Sequence, residues 1–206
     1  MGRKSLCFVA IAILALASTS YGIVIGNFEQ QMDDFSTTWE TPAATLSYGT
    51  IGATLGDYSL AIQSSKTGWQ WMIMHSGIVD LVSTPILKAD VTVLGADWPT
   101  STWVNFKEVA INSDGPDGWS QYTPEDPVNT AWPGSFNPPA DSTRTLTWDF
   151  TGYDATGATW MQIVFSQNCD GTMPGMFYID NVRLVPEPMT LSLLGLGGLA
   201  LLRRKR

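Results

Sequence analysis

The chain has 206 residues, with nineteen Asp and Glu against eleven Lys and Arg, and a net charge of −8. A surface that acidic repels nucleic acid, whose binding rests on cations. A single histidine, His75, excludes multi-histidine zinc sites, and no Walker loop or dinucleotide fingerprint is present.

Arg3 and Lys4 open the chain, Leu6 to Ala17 is an unbroken apolar run, and small residues follow in "ASTSYG". That order predicts a secretory signal peptide over residues 1–22, with Ser20 and Gly22 flanking a cut before Ile23. Cys7 lies inside the apolar run, away from the position of a lipid-anchored cysteine. Cys169 is then the sole cysteine of the exported part, so no intramolecular disulfide can form and the core alone must hold the fold. Residues 23–185 form one domain-sized unit. Residues 23–202 carry all nineteen acids and five bases, a local net charge of −14. Such a surface suits solubility outside a cell, and equally suits calcium, which takes oxygen ligands.

Residue alternation through this unit is that of strands. "IVIGNFE" opens it; "YSLAIQ" sets Tyr58, Leu60 and Ile62 against Ser59, Ala61 and Gln63. "ILKADVTV" sets Leu87, Ala89, Val91 and Val93 against Lys88, Asp90 and Thr92, and "RTLTWDF" sets Leu146, Trp148 and Phe150 against polar partners. "WMQIVFSQ" and "MFYIDNVRLV" close the series, and Gly, Pro, Asn and Asp clusters separate its members. No long helix is expected before residue 189. Eight to ten short strands in one domain predict an all-β, antiparallel two-sheet jelly-roll sandwich, flanked by the signal helix and a short carboxyl-terminal transmembrane helix. In "YIDNVRL" the apolar parity slips at Asp180–Asn181, which predicts a β-bulge. Residues 113–143 carry six prolines and little periodicity, yet keep Trp119, Tyr122, Trp132 and Phe136; an ordered excursion over a face or rim fits them.

Nine tryptophans follow residue 38. Trp148 and Trp160 are expected in the core, and Trp69 and Trp71 in "WQWMIMH" are expected buried. Trp98, Trp103, Trp119 and Trp132, with Tyr122, lie in or beside loops and are the candidate ligand-binding rings. An indole face stacks on a pyranose ring while neighbouring Asp, Asn and Gln bond its hydroxyls. Catalysis has no signature here. Glycosidases need two carboxylates about 5–10 Å apart, and neither Glu108, in a strand of ambiguous register, nor outward-facing Asp149 stands out. "SDGPDG" at 113–118 spaces carboxylates as a metal loop would, but reads as a turn.

The carboxyl end reads "VPEPMTLSLLGLGGLALLRRKR". Met189 to Leu202 has fourteen residues, about 21 Å as a helix against a bilayer core of about 30 Å. Arg203, Arg204, Lys205 and Arg206 close it as a cytoplasmic stop. The arrangement over 186–206 resembles the PEP-CTERM sorting signal of exported bacterial proteins. That resemblance implies an exosortase as processing partner, with Pro186, Glu187 and Pro188 as the recognition tripeptide. It also implies transient residence in the inner membrane, then the cell surface or extracellular matrix of a Gram-negative-type bacterium.

"NFEQQMDDFSTTW", "GDYSLAI" and "FYIDNVRL" together resemble carbohydrate-binding, galactose-binding-like jelly-roll modules. The resemblance implies a non-catalytic binder of polysaccharide or cell-surface glycan. It further implies a structural calcium ion tying the first strand to the last, with Glu29, Asp180 and Asp57 as the matching oxygen donors. A structural or adhesion protein of the matrix, or a polysaccharide-degrading enzyme, are the alternatives.

Overall fold

The computed structural model describes residues 22–29, 31–116, 118–124, 135–137, 139–171 and 175–187, with the backbone alone at 107 and 108. The expected signal helix, the segment 189–202 and the basic tail lie outside these residues. No helix within them is long and apolar enough to cross a membrane.

Among the described residues twelve strands form two antiparallel sheets. Sheet A orders β10 (Ser142–Asp149), β6 (Ile86–Val93), β12 (Met176–Val185), β4 (Ser59–Gln63) and β3 (Thr45–Gly49), with β1 (Ile23–Gly26) also on β12. Sheet B orders β2 (Phe35–Thr37), β5 (Gln70–Ser76), β11 (Met161–Cys169), β7 (Val104–Ser113) and β8 (Ser120–Tyr122), with β9 (Ser135–Phe136) also on β7. This is the expected all-β, two-sheet sandwich. The described parts of the proline-rich excursion do not cross a face. They become β8 and β9 and extend sheet B beyond β7.

Aromatic rings join the sheets. Phe106 of β7 lies 5.8 Å from Phe165 of β11, 5.3 Å from Phe177 of β12 and 6.4 Å from Trp148 of β10, so one side chain touches both layers. Phe35 continues the chain of rings from Phe165 to Phe28 at 6.0 and 5.1 Å. Each buried phenylalanine contributes about 1.5–3 kcal/mol by burial, and each well-placed ring pair about 0.5–1.5 kcal/mol more.

Alternation holds where a strand has one wet face. In β10, Leu146 and Trp148 are buried while Thr145, Thr147 and Asp149 are exposed. It fails in β4 and β6, where the polar parity is buried as well: Ser59, Asp90 and Thr92 all lie under cover. The cover is the loop 50–57. Gly52 in it has a φ of +79°, and a Cβ there would stand 2.6 Å from the Tyr178 Cβ and 3.2 Å from the Thr92 Cβ. Both residues point away from the core, so the loop presses on the outer face of sheet A and only glycine fits at the contact.

The bulge expected at Asp180–Asn181 is present. The β12–β6 register shifts between Asp180 and Arg183, and Asn181 has a φ of 50°. A second shift explains the ambiguous register around Glu108. Phe106 pairs with Gln167 and Val109 with Phe165, so two residues of β7 oppose one of β11.

Candidate functional site

The tryptophans do not all lie where their sequence positions suggest. Trp98, a candidate ligand ring, is a core residue: it is 3% exposed, packs edge-on against Phe177 at 5.0 Å, and donates its indole N–H to the Met176 carbonyl at 2.9 Å. Its loop position misled because the turn after β6 folds back over the end of the sandwich. Tyr122 is half-buried, stacked on Tyr153 at 5.0 Å. Trp103 is half-buried, and its backbone amide donates to Asp170 Oδ1 at 3.0 Å. Trp119 is 68% exposed beside β8, at the edge of sheet B. Trp132 lies outside the described residues.

Three other rings correct the sequence analysis in the opposite sense. Trp69 and Trp71, expected buried, are half-exposed and meet edge to face at 5.5 Å. Trp160, expected in the core, is 38% exposed just before β11. Trp148 is in the core as expected. Trp39, which closes "NFEQQMDDFSTTW" and is not among the candidate ligand rings, is 59% exposed after β2, where Thr38 Oγ1 donates to the Trp71 carbonyl at 2.7 Å.

Register places Trp71 on the outer face of sheet B. Met161, Ile163, Phe165 and Cys169 of β11 point into the core, so Gln162, Val164, Ser166 and Asn168 point out. Across the ladder, Ser166 pairs with Trp71, Val164 with Met74 and Ala110, Gln162 with Ser76 and Asn112, and Asn168 with Asn105. The face therefore combines one indole, one thioether and a row of amides. Asn105 and Asn112 are buried, and their Oδ1 atoms lack a hydrogen-bond partner. An acceptor in that state costs about 1–3 kcal/mol until a donor reaches it. Beside Trp71, Glu40 and Lys66 form an ion pair, and Glu40 Oε1 accepts from the Trp71 amide at 3.4 Å.

The three carboxylates assigned to calcium do not form one ligand set. Asp180 has no exposure to water; its Oδ2 accepts from the amides of Thr54 at 2.6 Å and Leu55 at 2.7 Å, and its Oδ1 from the Asn181 amide at 2.7 Å. Glu29 Oε1 accepts from the amides of Asp57 at 2.8 Å and Tyr58 at 3.0 Å, while the Asp57 side chain is exposed. Asp180 thus anchors the loop 50–57 at Thr54 and Leu55, and Glu29 anchors it where it enters β4. Sequence reasoning missed Asp90, which stands beside Asp180: the Thr54 hydroxyl lies 2.9 Å from Asp90 Oδ2 and 3.1 Å from Asp180 Oδ2. Asn181 Nδ2 and Thr145 Oγ1 also donate to Asp90. Among the described residues no three His, Cys, Asp or Glu side chains gather to hold a metal ion. Asp114 of "SDGPDG" is a turn clamp: amides of Thr159 and Trp160 donate to it at 2.8 and 2.7 Å, and these bonds with the Thr159 hydroxyl hold its carboxyl below the usual range.

A cleft of about 570 Å³ opens between β1 and the end of β5, lined by Ile23, Val24, Asp33, Asp34, His75 and Ile78 among others. His75 is 6% exposed, sits edge-on to Phe35 at 5.1 Å, and has no hydrogen-bond partner at Nδ1. No nucleophile is hydrogen-bonded to that nitrogen, so no Ser-His or Cys-His pair forms through it. The Cys169 thiol is buried and pushed up by that burial.

No protein-family model matches the chain, and no curated protein matches it. Solved structures do match. A carbohydrate-binding module from work on the promiscuous specificity of such modules in the β-sandwich superfamily aligns with a TM-score of 0.54 at 16% identity, over 81% of this chain and 63% of that one. The carboxyl-terminal family 22 carbohydrate-binding module of Clostridium thermocellum Xyn10B aligns with a TM-score of 0.54 at 12% identity, over 82% of this chain and 96% of that one. The module CBM27-1 of Caldicellulosiruptor saccharolyticus, solved with mannohexaose, aligns with a TM-score of 0.53 at 16% identity, over 81% and 98%. At these identities the likeness defines a fold, that of the β-sandwich carbohydrate-binding modules, and fold alone does not fix function.

Burial lowers the pKa of His75 below its ordinary 6.5, against the smaller opposing pull of Asp34 and Asp33. The unfolded chain therefore gains a proton near pH 6.5 that the folded chain refuses, and stability must fall as pH drops through that value. Urea midpoints should rise between about pH 5 and pH 7, and His75→Gln should flatten the rise. An equally steep rise in the variant would remove His75 as its source.

Proposed function

We propose that the protein is a non-catalytic polysaccharide-binding module whose platform is the outer face of sheet B. The carrying observation is Trp71, half-exposed and off the core, set in register with Ser166 on a face that also carries the half-buried amides of Gln162 and Asn168. A ring to stack on and amides to bond hydroxyls are what a pyranose chain requires. The carbohydrate-binding modules that share the fold support the same reading. Asp149 caps its own turn through the Thr151 amide at 2.8 Å, which supports a structural role for that acid.

Export, exosortase sorting and a cell-surface destination belong to the proposal and rest on the order of parts in 1–22 and 186–206. Pro186 and Glu187 are described, and Glu187 Oε1 accepts from the Thr151 hydroxyl at 2.8 Å; Pro188 and Arg203–Arg206 lie beyond the described residues. Calcium is a further part of it. An ion beside Glu29 or Asp180 would complete its shell largely with backbone carbonyls of the loop 50–57, since calcium takes six to eight oxygens.

Each part has its own measurement. On a glycan array the purified protein should retain at least one neutral polysaccharide, and Trp71→Ala should weaken retention about tenfold, some 1.4 kcal/mol. Silence from folded protein, or indifference to Trp71→Ala with self-association instead, would favour a structural matrix protein. Chelation should lower the melting temperature by several degrees, and Asp180→Asn should mimic it. An unchanged melting temperature on chelation would leave Asp180 as a hydrogen-bond anchor alone. Intact-mass analysis of the secreted form should show a chain ending near residue 188, and Arg206 still present would defeat the sorting proposal.

A further inference from the structure

We infer that the cleft between β1 and the end of β5 is a second ligand site, and that it takes an amine-bearing saccharide. Its charge is one-sided. Asp33, Asp34 and Asp80 line it, and no Lys or Arg does. Two of these acids are fixed from within: Asp33 Oδ2 accepts from the amides of Asn27 and Phe28 at 2.8 and 2.9 Å, and Asp80 Oδ1 from those of Val82 and Ser83, both at 3.0 Å. Asp34 is exposed. Three carboxylates with no Lys or Arg among them attract a positive group.

A cluster of acids could still be a solvated rim. The second observation is His75, which lines the same cleft, is 94% buried, and has an unpartnered Nδ1. A neutral imidazole has one donor and one acceptor nitrogen, and no protein group engages Nδ1. The ring is therefore a neutral hydrogen-bonding group in an otherwise acidic site, suited to a hydroxyl.

The walls supply the rest. Ile23, Val24 and Ile78 are 54%, 45% and 60% exposed, far more than core residues of this fold. They offer an apolar flank to one face of a sugar ring, and Asn27 and Gln31 offer amides that both donate and accept. At about 570 Å³ the cleft falls within the range that holds a small ligand. A hexosamine unit presents the matching set: an ammonium, hydroxyls and an apolar face.

The cleft is bounded by β1 and the 77–80 turn, whereas Trp71 and the amides lie on the outer face of sheet B, so the inference stands apart from the glycan platform. Titration calorimetry of the full-length protein with a fully deacetylated glucosamine trisaccharide, at a pH that protonates the amine, tests it. The N-acetylated trisaccharide and a linear diamine are the comparisons. Asp34→Asn combined with Asp80→Asn keeps the side-chain shapes and leaves an oxygen for the Val82 and Ser83 amides. The deacetylated sugar should bind, added salt should weaken it, and the double variant should lose roughly tenfold in affinity. Trp71→Ala should leave this binding unchanged. Equal affinity for the acetylated sugar, or an unaltered double variant, would overturn the site. A diamine that binds as tightly as the amino sugar would overturn the saccharide class.

Discussion

A carboxylate with no access to water sits at a bulge in the middle of sheet A, and the outer surface of that sheet depends on how it is satisfied. Burying an ionised carboxylate costs several kcal/mol unless donors replace its water. Asp180 obtains them from the amides of Thr54 and Leu55, residues more than 120 positions earlier in the chain. Hydrogen bonds to a charged acceptor contribute about 1.5–3 kcal/mol each. The loop 50–57 is thereby held on sheet A, with Glu29 fastening the residues that follow through the Asp57 and Tyr58 amides. Ser59, Asp90 and Thr92 lie buried on a face that would otherwise be wet. The centre of sheet A is covered on both faces, β10 at its edge keeps one wet face, and Trp71 stands half-exposed on the outer face of sheet B.

The same contact explains what could be seen in the residues and what could not. Alternation in "RTLTWDF" translates directly into β10, because β10 is an edge strand with one dry face. Alternation in "YSLAIQ" and "ILKADVTV" marks the inward residues correctly, since Leu60, Ile62, Leu87, Val91 and Val93 all join the core. It says nothing about the other parity, because period two cannot report a loop that returns from elsewhere to cover a face. The bulge at Asp180–Asn181 was legible as a slip in parity, and the bulge in β7 as an ambiguity around Glu108. Both arise from one extra residue, which shifts every later side chain to the opposite face.

The tryptophans were less legible, for a physical reason. In "WQWMIMH" both parities are apolar, so the strand looks buried on two sides. The bulge in the β5–β11 ladder falls between the Phe165 and Ser166 pairs, and Met72 and Ile73 both enter the core while Trp71 and Met74 face outward. Trp98 is the reverse case. Its neighbours look like a turn, yet the indole closes the end of the sandwich and its N–H is matched by the Met176 carbonyl. A tryptophan in a loop and a tryptophan in a strand therefore carry similar weight as ligand candidates until a register is known.

Charge then narrows what the exposed surfaces can hold. Residues 23–202 carry −14, and every charged residue lining the cleft is an aspartate. A polysaccharide of uronic or sulfated units would approach against that field, with attraction and repulsion reaching about 8–10 Å at ordinary ionic strength. Trp71 on sheet B has one ion pair beside it, Glu40 with Lys66, which adds no net charge. Stacking and amide hydrogen bonds are largely indifferent to salt, whereas carboxylate–ammonium attraction is not. A neutral chain on sheet B and a cationic unit in the cleft would therefore respond differently to salt.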